Sequence, residues 1–278
     1  MAFVIPALRP EPVVVTPETV PPGAGRTLLV VIAHADDAAI FAGGVLALWA
    51  DAGWRIHLLR VTDDRWDSVG LDEAETVRRN AAELRDAAAI LGIAGVEDLL
   101  WPTDVLGNAD RVALRERIIR TIRREMPFAT MTFDPNALFF EDNLDHKVLA
   151  EAVDEAFWTA MFDKHHPEHA AEGLLPHGTV DRWYFGRAVA SVTHVVDTAS
   201  TLERQVRAVL CHRTPAENMA HQYALQARTA GIDPARAAAV IADPGAALVA
   251  RIRAAAADRG RPFGLAAAEY LRCHAARL

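Results

Sequence analysis

A seven-residue apolar run rich in β-branched residues, Thr27 to Ala33, leads without a spacer into His34, Asp36 and Asp37. Bounded upstream by Pro and Gly, such a run reads as a strand buried on both faces of a parallel sheet. An apolar helical segment begins near Ala38, so the junction is a strand-to-helix turn. Ligands of open α/β sheets bind just outside the carboxyl ends of the strands. One imidazole and two carboxylates therefore stand where chemistry is expected, and this junction is the candidate active site.

Strand and helix signals then alternate along the chain. A helix from about Ala38 to Ala52 carries Gly43-Gly44, a pair that costs helix stability and implies close approach to the sheet beneath. Arg55 to Thr62 is a second strand. Glu73 to Leu91 has helical apolar spacing and ends at Gly92, a C-cap residue. A third strand ends at Leu99 to Trp101, Asp110 to Glu125 is an amphipathic helix, and Ala129 to Phe133 is a fourth strand. A further helix runs from about Asp145 to Phe162. Four strand–helix units imply a Rossmann-like α/β fold, a parallel sheet with helices on both faces. Val180 to Phe185 and Val192 to Asp197 read as two more strands. From Thr198 onward the chain reads as helical, through the Ala-rich segments 234–242, 245–258 and 265–278. Residues 1–26, with prolines at 6, 10, 12, 17, 21 and 22, read as an extended arm.

Charge narrows the partners. The 29 basic residues are outnumbered by 37 acidic ones, a net −8 that argues against a nucleic-acid surface. The basic pairs Arg78-Arg79 and Arg123-Arg124 are interleaved with Glu and read as solvated helix faces. Cys211 and Cys273 form no disulfide framework. The longest uncharged stretch, Ala38 to Ala50, is shorter than the roughly 20 residues a membrane span needs. A cytoplasmic protein without a membrane segment is expected. The proline-rich arm and the Ala-rich C-terminal helices are candidate surfaces for a homo-oligomer.

A second polar cluster, Asn143-Leu144-Asp145-His146, follows the fourth strand and so shares the same sheet edge. Two His and a carboxylate make a common catalytic zinc set, and a spare carboxylate beside it can act as general base. Spacing alone leaves simpler readings open, because Asp36-Asp37 and Asp145-His146 also suit helix starts. A nucleotide site is the third reading. Its glycine-rich loop should directly follow the first strand, where this chain instead has the acidic AHADDA. His165, His166 and His169 read as an exposed loop, and His57 as a packed or capping residue.

His34-Ala35-Asp36-Asp37, five residues and then Gly43-Gly44 resembles the HPDD…GG signature of the PIG-L/LmbE-like deacetylases. The resemblance continues through Val61-Thr62-Asp63, the helix Arg78-Arg79…Glu83-Leu84…Ala88…Leu91-Gly92, and Asp145-His146 in place of an HxDH motif. Trp183-Tyr184-Phe185-Gly186 and Thr193-His194-Val195-Val196-Asp197 resemble later family strands. The likeness implies an LmbE-like deacetylase domain over 27–215, with 216–278 a helical extension packed on it. It implies zinc, or another divalent first-row ion, held by His34, Asp37 and His146. Asp36 would be the general base and Asp145 an orienting group. The implied reaction removes an acetyl group from an N-acetylated amino sugar or related small molecule. An amidase acting on a thiol or other N-acyl conjugate, and a catalytically weak metabolite-binding member, are the alternatives.

Four positions depart from the family pattern: Ala35 for Pro, Ala39 for Glu, Asn80 for a sugar-binding Arg, and Asn143 for the first His of HxDH. Asn143 can donate a hydrogen bond but carries no charge, which makes His194 the candidate for a charged helper. Arg79, Arg65, Trp66 and His212 are the candidate substrate contacts.

Overall fold

The computed structural model describes residues 11–275. Its centre is β2 (Thr27–Ile32), in which Leu28 to Ile32 are fully buried. β3 (Arg55–Thr62) pairs with one edge of β2 and β5 (Ala129–Phe133) with the other, both parallel. β4 (Gly95–Trp101) extends the sheet beyond β3, and β6 (Asp181–Phe185) extends it beyond β5. α1 (Asp37–Asp51) and α2 (Glu73–Leu91) make the outward crossovers, while α3 (Arg111–Glu125) and α4 (Leu144–Thr159) make the return ones. Right-handed crossovers in opposite directions put the two pairs on opposite faces. α1 and α2 pack with α5 (Leu202–Val209), and α3 packs with α4. The expected Rossmann-like layers are present.

The remaining strands correct two expectations. Within the proline-rich arm, β1 (Val13–Val15) pairs parallel with β7 (His194–Asp197); residues 1–10 of that arm lie outside the described residues. More consequential is 265–278, expected to be helical. Ala268–Ala275 is instead a strand, β8, lying antiparallel between β6 and β7. Among the described residues the sheet thus has eight strands in the order β1-β7-β8-β6-β5-β2-β3-β4, and it is mixed. The alanines signalled helix, but the unpaired edges of β6 and β7 offer a ladder that overrides this weak preference. α6 (Arg213–Thr229), α7 (Pro234–Ala242) and α8 (Pro244–Gly260) fill the intervening chain as expected.

β8 also explains the glycine pair. α1 is kinked at Ala42, whose φ of −144° is not helical. The amides freed there find Glu269 of β8, a fully buried carboxylate that accepts from Gly44 N at 3.1 Å and Val45 N at 2.8 Å. Burial pushes the Glu269 carboxyl up to about 7. A Cβ on Gly44 would meet Thr198 Cβ at 2.8 Å, and one on Gly43 would meet Gln205 Cγ at 2.8 Å. The glycines therefore admit β8 on one side and α5 on the other.

The histidine-rich loop after α4 is not exposed at its key residue. His169 is fully buried, with Nε2 2.7 Å from Glu116 Oε1 and Nδ1 3.2 Å from Arg123. The Arg123 guanidinium donates to the carbonyls of Ala160, Phe162, His165 and His166. This knot closes the end of α4.

Gly44→Ala is expected to destabilise the fold by about 1–3 kcal/mol, measured by denaturant unfolding, because Thr198 and Glu269 both confine that position. An unchanged midpoint would contradict the close packing of α1 on β8.

Candidate active site

The sheet order reverses between β2 and β5, and the two polar clusters follow the carboxyl ends of these strands. This is the ligand-binding crevice of doubly wound folds. Asp37 builds the first half. Its Oδ2 accepts from His34 N at 2.8 Å and Ala33 N at 3.1 Å, pinning the end of β2. Its Oδ1 lies 3.1 Å from His146 Nε2. His146 comes from the first turn of α4, whose N-cap is Asn143. The Asn143 side-chain oxygen accepts from Asp145 N at 2.8 Å and His146 N at 3.3 Å. The His146 ring stacks on Phe133 of β5, centroids 4.0 Å apart, and its Nε2 lies 3.0 Å from His34 Nδ1.

A carboxylate lies behind each imidazole. His34 Nε2 lies 3.5 Å from Asp145, which is fixed by Asp104 N at 2.6 Å and Leu106 N at 3.1 Å. His146 Nδ1 lies 3.1 Å from Glu141 Oε2, and Arg187 Nε donates to Glu141 Oε1 at 3.1 Å. The turn itself is tied to β3 by Asp64, buried and accepting from Ala35 N and Arg60 at 2.9 Å each. Asn80, fully buried, donates towards the carbonyls of Asp64 (3.3 Å) and Asp67 (3.4 Å) and holds that loop.

The donor set fits a divalent cation. His34 Nδ1, Asp37 Oδ1 and His146 Nε2 converge, with all ligand atoms within 4.8 Å of one another. Two imidazoles and a carboxylate, each imidazole oriented by a carboxylate on its far nitrogen, match the ligand chemistry of transition-metal sites. Titration behaviour agrees. Burial would depress both imidazoles, yet Asp145 and Asp37 outweigh it for His34, raising it well above its usual value. Asp37 does the same for His146, pushing it up to about 9. The site thus gathers positive charge as protons where a cation would replace them. Asp36 caps nothing with its side chain, and burial together with the Asp37 charge pushes it up to about 8.

The cluster opens into a cavity of about 410 Å³, a size suited to a sugar and its substituents. Asp36, His34, Asp37, His146 and Asn143 line it. Asp67 and Arg187 join them, along with residues of α6 (Asn218, Met219, Gln222) and α8 (Leu248, Arg251, Ile252, Arg259). The other expected contacts lie outside this lining. Arg79 is turned to solvent and binds Glu75 at 2.6 Å, since the inward position of that turn belongs to Asn80. Arg65 is paired with Asp63, and the exposed Trp66 donates to Glu73 at 3.1 Å. His194 opens β7 and packs on Trp183, centroids 4.8 Å apart. His212 is buried with neither ring nitrogen hydrogen-bonded to a described residue, and burial pushes it down to about 4. Sequence reasoning missed Glu141, Asp67, Arg187 and the α6–α8 wall. Arg187, just after a strand and its glycine, carried a usable signal; the helical wall carried none.

A mixed α/β sheet with a His–Asp–His cluster at its switch point agrees with the LmbE-like fold expected from the sequence. Residues 29–157 match the PIG-L family, described as GlcNAc-PI de-N-acetylase. It is 27% identical over 196 residues to the diacetylchitobiose deacetylase of Thermococcus kodakarensis, covering 68% of this chain and 70% of that protein. It is 25% identical over 238 residues to the 1D-myo-inositol 2-acetamido-2-deoxy-alpha-D-glucopyranoside deacetylase of Rhodococcus jostii, covering 68% of this chain and 81% of that one. The N,N'-diacetylchitobiose deacetylase of Pyrococcus horikoshii shares the fold, with a TM-score of 0.75 over 90% of this chain and 84% of that chain at 18% identity. Among the described residues no helix is long and apolar enough to cross a membrane.

A divalent metal ion is expected to bind at about one per chain, with zinc as the probe, and to release protons near neutral pH, because His146, held at about 9, must give one up. Affinity therefore rises as pH rises towards that value. Calorimetry in buffers of different ionisation enthalpy measures the release. Glu141→Gln and Asp145→Asn should weaken binding roughly 10–100-fold. Binding without proton release, or unchanged affinity in both variants, would contradict the assignment.

Proposed function

We propose that the chain is a zinc-dependent hydrolase that removes the acetyl group from an N-acetylated amino sugar or a related small molecule. The observation that carries this reading is Asp36, a carboxylate on the wall of the same cavity as the His34–Asp37–His146 cluster and uncommitted to its helix cap. Ligands and base are thus separate groups within one cavity. The two curated relatives are named as deacetylases of acetylated sugars, which supports an acetamide as the bond attacked.

When bound, a divalent cation lowers the pKa of water towards ~7 and polarises a carbonyl. The protein side chains supply the rest. Asp36 accepts the proton that water loses as its oxygen bonds the amide carbon. The same carboxyl then protonates the nitrogen as the C–N bond breaks, releasing acetate and an amine. Asp145 and Glu141 keep the two imidazoles in one tautomer and orientation throughout. Asn143, where a charged group was sought, is spent on the α4 cap. Arg187, tied to Glu141 in the cavity lining, offers the positive charge that Asn143 lacks.

Other N-acyl conjugates would be cleaved by the same steps. The test is primary-amine release from N-acetylglucosamine and N,N'-diacetylchitobiose by zinc-loaded protein. Asp36→Asn is expected to lower kcat by about 10²–10⁴ while retaining its zinc. Zinc-loaded wild-type protein that releases no amine from N-acyl sugars would leave a metabolite-binding protein in place of the enzyme.

A further inference from the structure

The cavity wall opposite in sequence to the metal cluster is supplied by α8, and two of its lining residues are arginines. Arg251, Ala255 and Arg259 recur every fourth residue and so form one row on the helix, about 12 Å from end to end. Neither arginine makes an ion pair among the described residues. Elsewhere on the same helix Arg253 does, donating to Glu203 at 2.8 Å, and in the cavity itself Arg187 is held by Glu141. Glu269 feels the charge of Arg259 but spends both oxygens on Gly44 N and Val45 N. α2 offers the cavity no cation, since Arg79 faces Glu75 and the inward Asn80 holds a loop.

Two guanidinium groups without an ion pair among the described residues, in the cavity of a chain with net charge −8, suit an anionic ligand. Guanidinium is the side chain whose fork of donors fits a carboxylate or a phosphate. The neighbouring wall of Leu248, Met219 and Ile252 is apolar and strengthens such a contact by excluding water. We propose that Arg251 and Arg259 form an anion subsite, so that the substrate carries a carboxylate or phosphate away from its scissile amide. This deepens the hydrolase reading and rests on it for the word substrate, but not for the binding site.

The test uses ligands without an amide, so its result does not depend on hydrolysis. Glucose, glucose 6-phosphate and glucuronate are titrated into zinc-loaded protein by calorimetry, for the wild type, Arg251→Ala and Arg251→Ala/Arg259→Ala. At least one anionic sugar is expected to bind about tenfold or more tightly than glucose, and whichever does so identifies phosphate or carboxylate as the group. The exposed Arg251→Ala should lose part of that preference and the double variant all of it, with unfolding midpoints confirming that each variant is folded. Equal affinity for the three sugars in the wild type would overturn the proposal. So would a preference that survives in the folded double variant, because the anion would then sit on the metal.

Discussion

The carboxylate of Asp37 does two jobs, and the site exists because both are done by one group. One oxygen takes the amides of Ala33 and His34 and fixes how the chain leaves β2; the other faces His146 from the far side of the sheet's switch point. Bringing a charged group to near-complete burial is costly unless it is paired and hydrogen-bonded. Here backbone donors and an imidazole together make it tolerable, and the Asp37 carboxyl stays below its usual range although burial alone would raise it. An Asn here could still accept the two amides, but it would lose the charge that faces His146.

Around that carboxylate the site is layered. The turn rests on Asp64 and buried Arg60 of β3, α4 starts where Asn143 caps it, and each imidazole has its own carboxylate behind it. The layers come from four separate loops at one sheet edge. Strands of one sheet carry these loops, and side-chain to backbone hydrogen bonds such as those of Asp64 and Asn143 fix them.

The cluster His34, Asp37 and His146 was legible in the sequence because each residue follows a strand, in a short polar group with a recognisable spacing. β3, α2 and β5 match their sequence ranges residue for residue for the same reason: apolar period and cap agree locally. What stayed hidden depended on partners distant in the chain. Nothing in Glu141 marks it as the backing for an imidazole until α4 turns His146 towards it. Arg79 and Asn80 differ in fate only by their angle on α2, and Ala268–Ala275 looks helical until β6 and β7 leave a gap for it. Arg251 and Arg259 share a helix with the ion-paired Arg253, so composition alone could not separate lining from solvent-facing cations.

The position of β8 has a bearing on the order of folding. The sheet is interrupted between β6 and β7 until β8, separated from β7 by four helices, arrives, and the kinked helix that begins at Asp37 finds its buried carboxylate only then. The pairing that seals the sheet joins segments far apart in the chain, the slow kind of contact to form. The two strand edges therefore stay open until that long loop closes, and α1 gains the anchor for its kink in the same step.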